Sequence, residues 1–143
     1  ILVGARPRSA CFSPDGKTAY ATSEISGEVK KIDVASGKIL RKNALTNDSA
    51  KPKDVLTNID GTLLYVAGGR ANQIFVLDAN NLEIIKTILV GKRVWGLTLS
   101  RDGKTLYSTD GVDNQVSVID TVTNIRTATV KVGKFPWGIV VDD

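Results

Sequence analysis

The sequence repeats about every 42 to 45 residues, and this period constrains the fold more than any other feature. Three landmarks recur together: an Asp-Gly pair, a tyrosine five residues after its Asp, and an aspartate thirteen residues after the tyrosine. They are Asp15-Gly16, Tyr20 and Asp33; Asp60-Gly61, Tyr65 and Asp78; Asp102-Gly103, Tyr107 and Asp120. Each series steps by 45 and then by 42 residues. Identical offsets in three independent series indicate three copies of one structural unit.

Within each copy the residues follow a β-strand pattern rather than a helical one. In the third copy we predict strands at about 95–100, 105–109, 115–120 and 125–131. These segments are short, rich in Val, Ile, Thr and Tyr, and separated by Gly, Asp or Asn turns. Four short strands in a repeat of this length are typical of a propeller blade. The sequence therefore predicts an all-β propeller with four-stranded blades at residues 3–45, 46–89 and 90–131 and one closing strand at 132–143.

Three blades and one strand form only a partial ring, since natural propellers use about four to eight blades. An open ring would leave strand edges exposed. Either upstream blades of the same protein or self-association of chains could complete it. The chain starts with ILVGARPRS, which has neither an initiator Met nor a signal-peptide pattern. This start favours upstream blades.

Composition excludes several kinds of chemistry. There is no His, which removes the usual general base, the His-containing triads and His metal ligands. The single cysteine, Cys11, excludes an intrachain disulfide and CxxC motifs, and its apolar neighbours predict a small buried core residue. No apolar run approaches the roughly 20 residues that span a bilayer. We expect a protein that is not an enzyme, with no metal site and no cofactor.

Three blocks of the sequence, at 6–23, 94–121 and 132–143, resemble the YVTN β-propeller repeat, which has a Pro-Trp-Gly-like start, a SPDGK turn and VSVID strands. The repeat order and final PWG are also similar to the C-terminal half of seven-bladed bacterial propellers associated with PQQ-dependent alcohol catabolism. The resemblance implies a periplasmic or exported bacterial or archaeal scaffold or binding module, with no family-wide catalytic set. The second copy departs from the repeat at Asn58-Ile59-Asp60 and at Gly68-Gly69-Arg70.

The loops that lead into the innermost strands, here called the lead-in loops, are unusually basic. In a propeller they share one face of the central channel with the loops between second and third strands. They carry seven of the 19 Lys and Arg residues: Arg6, Arg8, Lys51, Lys53, Lys92, Arg93 and Lys134. This clustering predicts a basic channel face that binds a protein partner or a small anionic ligand. Ordinary solvated surface charge is the alternative.

Two tryptophans, Trp95 and Trp137, begin inner strands beside these loops. Tryptophans in such places often contact ligands or partners, and packing between blades is the alternative role. Carboxylates also lie nearby. Asp48 and Asp54 are at the lead-in loops, and Glu24 is in one of the loops between second and third strands, here called companion loops. Because the loops mix both signs and aromatic residues are few, we expect no dedicated nucleic-acid binding.

Other polar residues have structural explanations. We predict that Asp33, Asp78 and Asp120 cap the turns that follow them, since a catalytic residue would not recur in every copy. Asp110, Asp113 and Asn114 could offer oxygens to Ca²⁺ but are better explained as a polar turn.

Lys31 is an anomaly, because it aligns with Val76 and Val118 of the other copies. A buried ammonium group is costly, so we expect Lys31 to extend toward solvent, with Glu24 or Glu28 as possible partners.

Overall fold

The structure is a computed structural model that describes residues 1–45 and 49–142. Its twelve strands form three antiparallel four-stranded sheets, each joined in simple sequence order. Blade 1 contains β1 (Pro7–Phe12), β2 (Thr18–Ser23), β3 (Glu28–Asp33) and β4 (Ile39–Ala44); blade 2 contains β5 (Val55–Thr57), β6 (Leu63–Ala67), β7 (Gln73–Asp78) and β8 (Ile84–Leu89); blade 3 contains β9 (Val94–Leu99), β10 (Thr105–Asp110), β11 (Gln115–Asp120) and β12 (Ile125–Lys131). The predicted all-β architecture is confirmed.

The three blades keep the same strand register. The repeated tyrosine of the second strand faces Cys11, Leu56 or Thr98 of the first strand in the three blades respectively. The turn that precedes the second strand is also kept in the second copy, where Asn58 stands in place of a serine. Asn58 Oδ1 accepts the Leu63 N–H at 2.8 Å, as the hydroxyls of Ser13 and Ser100 do for Thr18 and Thr105 at 3.0 Å.

The core lies between the blades. One apolar cluster joins blades 1 and 2, and a second joins blades 2 and 3. Successive residues of a strand point to opposite faces, so Phe75 and Leu77 of β7 pack toward blade 1 while Ile74 and Val76 pack toward blade 3. A sheet covered on both faces needs a continuous apolar run rather than an alternating one. The β7 sequence QIFVLD meets that need.

Tyr20 shows how a repeated tyrosine holds neighbouring blades together. It is 2% exposed, and its hydroxyl donates a hydrogen bond to the Ala79 carbonyl of blade 2 at 2.9 Å. Replacement of Tyr20 by Phe should lower the free energy of unfolding by about 1 kcal/mol, because the buried carbonyl loses its donor. Urea unfolding would measure this change. Tyr107→Phe is the matched control, since no bond of its hydroxyl is described; an equal loss in both variants would contradict the assignment.

The three turn aspartates act as predicted. The Asp33, Asp78 and Asp120 carboxylates accept backbone N–H bonds from the residues two or three positions later, at 2.7 to 2.9 Å. The hydrogen bonds from Ser36 lower the pKa of Asp33, and those from Thr123 lower the pKa of Asp120. These carboxylates therefore serve the fold.

No β-strand forms within the described residues 132–142. The closing strand at 132–143 stays a prediction. A strand is defined by its backbone hydrogen bonds to a neighbour, and no described strand is paired with this segment through its backbone. Its Trp137 carbonyl instead accepts a side-chain hydrogen bond from Thr109 at 3.2 Å.

Cys11 and Lys31 lie at the junction of blades 1 and 2. Cys11 is half-buried against the first apolar cluster, and burial, reinforced by the Asp54 charge, raises the pKa of its thiol to about 12. Lys31 extends toward blade 2, where its ammonium donates to the Asn80 carbonyl at 3.0 Å and to Asn80 Oδ1 at 3.3 Å. The described partner of Lys31 is therefore Asn80, and neither of the possible partners Glu24 and Glu28 is bonded to it.

Candidate binding site at the channel face

The lead-in loops share one local conformation. Arg6, Arg93 and Phe135 occupy the same position in their VGxxx segments, and each has a left-handed backbone with φ of 58°, 58° and 52°. The Arg6 carbonyl accepts the Glu24 N–H at 2.9 Å, and the Arg93 carbonyl accepts the Gly111 N–H at 3.0 Å. Each of these lead-in loops is thereby held against the second-to-third-strand loop of its own blade, which places both loop types on one face.

Asparagines fix the lead-in loop of the following blade. Asn72 Oδ1 accepts the Arg93 N–H, and Asn114 Oδ1 accepts the Phe135 N–H, both at 2.9 Å. Both asparagines are themselves left-handed, with φ of 57° and 54°, a conformation that asparagine tolerates better than most residues. Gly27 occupies the corresponding position of blade 1 and has no side chain to offer. The lead-in to blade 2 is also longer, and its residues 46–48, including the predicted Asp48, lie outside the described residues.

Three of the predicted basic residues converge on one carboxylate. Glu24 Oε2 lies 3.1 Å from Arg6 Nε and 3.6 Å from Arg8 Nε, and the Lys53 ammonium is hydrogen-bonded to Glu24 Oε1. The side chains of Glu24 and Lys53 are only 12% and 13% exposed. The cluster therefore holds three cations around one carboxylate, and water screens the charges of Glu24 and Lys53 poorly.

The pKa directions reflect this excess of positive charge. Burial acts to raise the pKa of Glu24, but the hydrogen bond and charge of Lys53 and the charges of Arg6 and Arg8 outweigh it and lower the pKa. The pKa of Lys53 is also lowered. Burial and repulsion from Arg8 and Arg6 lower it, and they outweigh the hydrogen bond and charge of Glu24, which act to raise it. One carboxylate thus does not compensate the cations around it.

A cavity of about 260 Å³ opens beside the Glu24 cluster. Two further arginines line it, Arg93 of the blade 3 lead-in loop and Arg70 of the β6–β7 loop, together with Arg6, Glu24, Lys53, Gly69, Trp95 and Trp137. Among the described residues no carboxylate pairs with Arg70 or Arg93. Arg70 was not among the predicted contacts, although its companion loop was expected on this face.

Both tryptophans lie at the same site. The ring centroids of Trp95 and Trp137 are 4.6 Å apart with the planes tilted by 40°, and the Arg8 guanidinium carbon lies 5.2 Å from the Trp137 centroid. Trp95 packs over Gly111, where an added Cβ would come within 2.5 Å of the indole. A second cavity of about 210 Å³ adjoins the first and shares Lys53, Trp95 and Trp137 with it.

Asp54 connects the inner strands beneath this site. Its Oδ1 accepts the Ser9 hydroxyl at 2.6 Å and its own neighbour Val55 N–H at 2.9 Å, while Oδ2 accepts the Leu97 N–H at 2.9 Å. One carboxylate therefore joins β1, β5 and β9. The sequence showed Asp54 only as a nearby negative charge, because its partners in the other blades, Ser9 and Leu97, lie 45 and 43 residues away.

Three predicted contacts lie outside the two cavities. The side chains of Lys92 and Lys134 are solvent-exposed, and the backbone N–H of Lys92 binds Asp113 Oδ2 at 2.8 Å. Lys51 packs its carbonyl against Gly69. The structure brings together six of the nine: Arg6, Arg8, Lys53, Arg93, Trp95 and Trp137.

Asp113 accepts a hydrogen bond from the blade 3 lead-in loop, and Asn114 accepts one from the VGxxx segment that follows β12. Both residues therefore act as parts of a polar turn. Within residues 1–45 and 49–142 no three His, Cys, Asp or Glu side chains group as metal ligands would.

Comparison with known proteins places this fold in a family. The family described as Lactonase, 7-bladed beta-propeller matches residues 3–124. The chain belongs to this family. The described residues of this lactonase-family propeller form three blades.

Relatives of this lactonase-family propeller include the hydrazine synthase subunit beta of Kuenenia stuttgartiensis, 32% identical over 101 residues. The match covers 60% of this chain and 25% of the relative, so the chain spans about a quarter of that protein. The solved Kuenenia stuttgartiensis hydrazine synthase superposes with a TM-score of 0.82 at 27% identity, over 90% of this chain and 36% of that chain.

Solved U3-55K has a similar fold, with a TM-score of 0.78 at 22% identity over 89% of this chain and 39% of that chain. This likeness shows the fold alone.

In the part of the chain that the structure describes, no helix has the length and apolar character needed to cross a bilayer.

Proposed function

We propose that this propeller segment is a non-enzymatic scaffold whose channel face binds an anionic partner, either an acidic protein surface or a small anionic ligand. The observation that carries the proposal is the uncompensated charge of the channel face. Arg6, Arg8 and Lys53 share one carboxylate, while Arg70 and Arg93 line the same region without a described carboxylate partner. A bound anion would relieve the repulsion among these cations.

Charge reversal of the two arginines tests this proposal. The Arg70→Glu, Arg93→Glu variant should bind immobilised poly-L-glutamate at least about tenfold more weakly than the unchanged chain, because two attractive contacts become repulsive. Binding of the unchanged chain should also weaken as salt rises from low to physiological concentration. Biolayer interferometry at two salt concentrations would measure both effects.

The matched control reverses two exposed arginines of outer strands, Arg41 in β4 and Arg126 in β12. This variant has the same net charge as the test variant but leaves the channel face intact. An equal loss of binding in both variants would show a general charge effect and would contradict a site at the channel face.

A second candidate is an accessory or redox-associated propeller in quinoprotein or haem-protein metabolism, with its catalytic groups outside this segment. The likeness to a hydrazine synthase subunit favours it, together with the YVTN and PQQ-associated resemblance. Both candidates agree with a periplasmic or exported bacterial protein, with the ring completed by further blades or by self-association. Copurification of the full-length protein with a haem- or quinone-containing subunit would favour the second candidate.

A further inference from the structure

The unpaired arginines and the tryptophans line the same cavity. We propose that this cavity takes a small planar aromatic carboxylate, with its ring against Trp137 and its carboxylate on Arg70 and Arg93. The inference rests on the proposed function, because it names the class of anion that the channel face would bind.

The exposed indole of Trp137 offers a surface for an aromatic ring. Trp137 is 58% exposed although it contacts both Trp95 and Arg8. The planar guanidinium of Arg8 already lies over the Trp137 ring, so the site accommodates a flat group there. Aromatic rings favour offset or edge-to-face contacts with centroids about 4.5–7 Å apart. A second flat group can therefore use the uncovered surface of Trp137.

The guanidinium groups of Arg70 and Arg93 offer a binding site for the carboxylate. The planar fork of arginine matches the two oxygens of a carboxylate, and such paired hydrogen bonds are stronger than neutral ones. Arg6, Arg8 and Lys53 are already engaged by Glu24, which leaves Arg70 and Arg93 for the ligand.

Size limits the ligand to one or two rings. The two adjoining cavities measure about 260 and 210 Å³. Each is below the roughly 300–1,000 Å³ that is usual for drug-sized ligands. A naphthalene-sized acid is therefore an appropriate probe.

The chain contains only two tryptophans, both at the site, so their indole N–H resonances report binding directly. Titration of the ¹⁵N-labelled chain with 2-naphthoate should shift both resonances to saturation. We expect at least about fivefold weaker binding of 2-naphthamide, which lacks the charge, and of cyclohexanecarboxylate, which lacks the flat ring. Equal affinity for the three probes, or no indole shift, would overturn the inference.

Two variants separate the contributions of ring and charge. Arg93→Gln should weaken 2-naphthoate about tenfold while leaving 2-naphthamide nearly unchanged. Trp137→Leu should weaken 2-naphthoate but not cyclohexanecarboxylate. Arg126→Gln, on the outer strand β12, is the control and should change none of these affinities.

The two proposals fail in distinguishable ways. If poly-L-glutamate binding depends on Arg70 and Arg93 while the three small probes bind alike, the aromatic carboxylate inference is wrong and the anionic partner stands. If neither poly-L-glutamate nor 2-naphthoate binds in a manner that depends on these arginines, both proposals are wrong.

Discussion

Replacement of Asp110 by alanine is expected to lower the free energy of unfolding by about 3 kcal/mol, because several buried donors lose their acceptor at once. Asp110 is fully buried. Its Oδ2 accepts the Gly91 N–H at 3.0 Å, the Gln115 amide at 3.0 Å and the Ser117 hydroxyl at 2.6 Å. Its Oδ1 accepts the Ser108 hydroxyl at 3.1 Å.

Alanine removes both carboxylate oxygens, so the Gly91 N–H, the Gln115 amide and the Ser117 hydroxyl lose their shared acceptor in a buried place. Urea unfolding would measure the loss. Asp120→Ala is the matched control, since Asp120 caps a turn at the surface, where water can replace it as acceptor for the bonds from Thr123. If Asp110→Ala loses no more stability than Asp120→Ala, the buried carboxylate does not hold the start of the blade 3 lead-in loop.

Replacement of Glu24 by glutamine should lower the free energy of unfolding by about 2 kcal/mol at neutral pH. Glutamine keeps the shape of the side chain but removes the charge that Arg6, Arg8 and Lys53 surround. Arg6 is 57% exposed, so water already screens its share of the interaction. Most of the expected loss therefore comes from the poorly exposed Lys53 and Arg8.

The effect of Glu24→Gln depends on pH in a defined direction. The pKa of Glu24 is lowered from its ordinary value of 4.5 in the folded chain, so its contribution to stability is complete above that value and is lost as the pH falls through the lowered pKa. The stability difference between the two proteins should thus be constant near neutral pH and shrink in acid. Chemical unfolding at several pH values would show this. Glu83→Gln, at an exposed turn, is the control, and a gap that stays constant down to the lowest pH would contradict the ion-pair account.

Much of the fold could be predicted because its determinants are local and recur. The Asp-Gly turns, the strand tyrosines and the capping aspartates each act within a few residues, and their spacing also sets the strand register. The strand at 132–143 stays a prediction, because strand formation depends on a neighbour, which local pattern does not reveal. The predicted Cys11 burial was only partly correct, since the thiol lies at the margin of a cluster rather than inside it.

The candidate site was predictable only in part, for the same reason. The basic lead-in loops and both tryptophans were visible in the sequence, and topology placed six of them together. The pairing of Lys53 with Glu24 joins residues 29 positions apart in different blades. The contact of Lys31 with Asn80 spans 49 positions. Such pairings depend on how blades stack, so neither the neutralising role of Glu24 nor the position of Arg70 could be derived from spacing.

The asparagines that reach from one blade to the next have a consequence for how the blades would separate. Asn72 and Asn114 join successive blades through neutral hydrogen bonds, which acid leaves intact. Blade 1 has Gly27 instead, and the ion pair of Glu24 with Lys53 crosses to blade 2 near that position. Protonation of Glu24 would therefore loosen the first seam before the second. Acid should therefore weaken the contact between blades 1 and 2 through Glu24, while the asparagine hydrogen bonds of Asn72 and Asn114 stay intact.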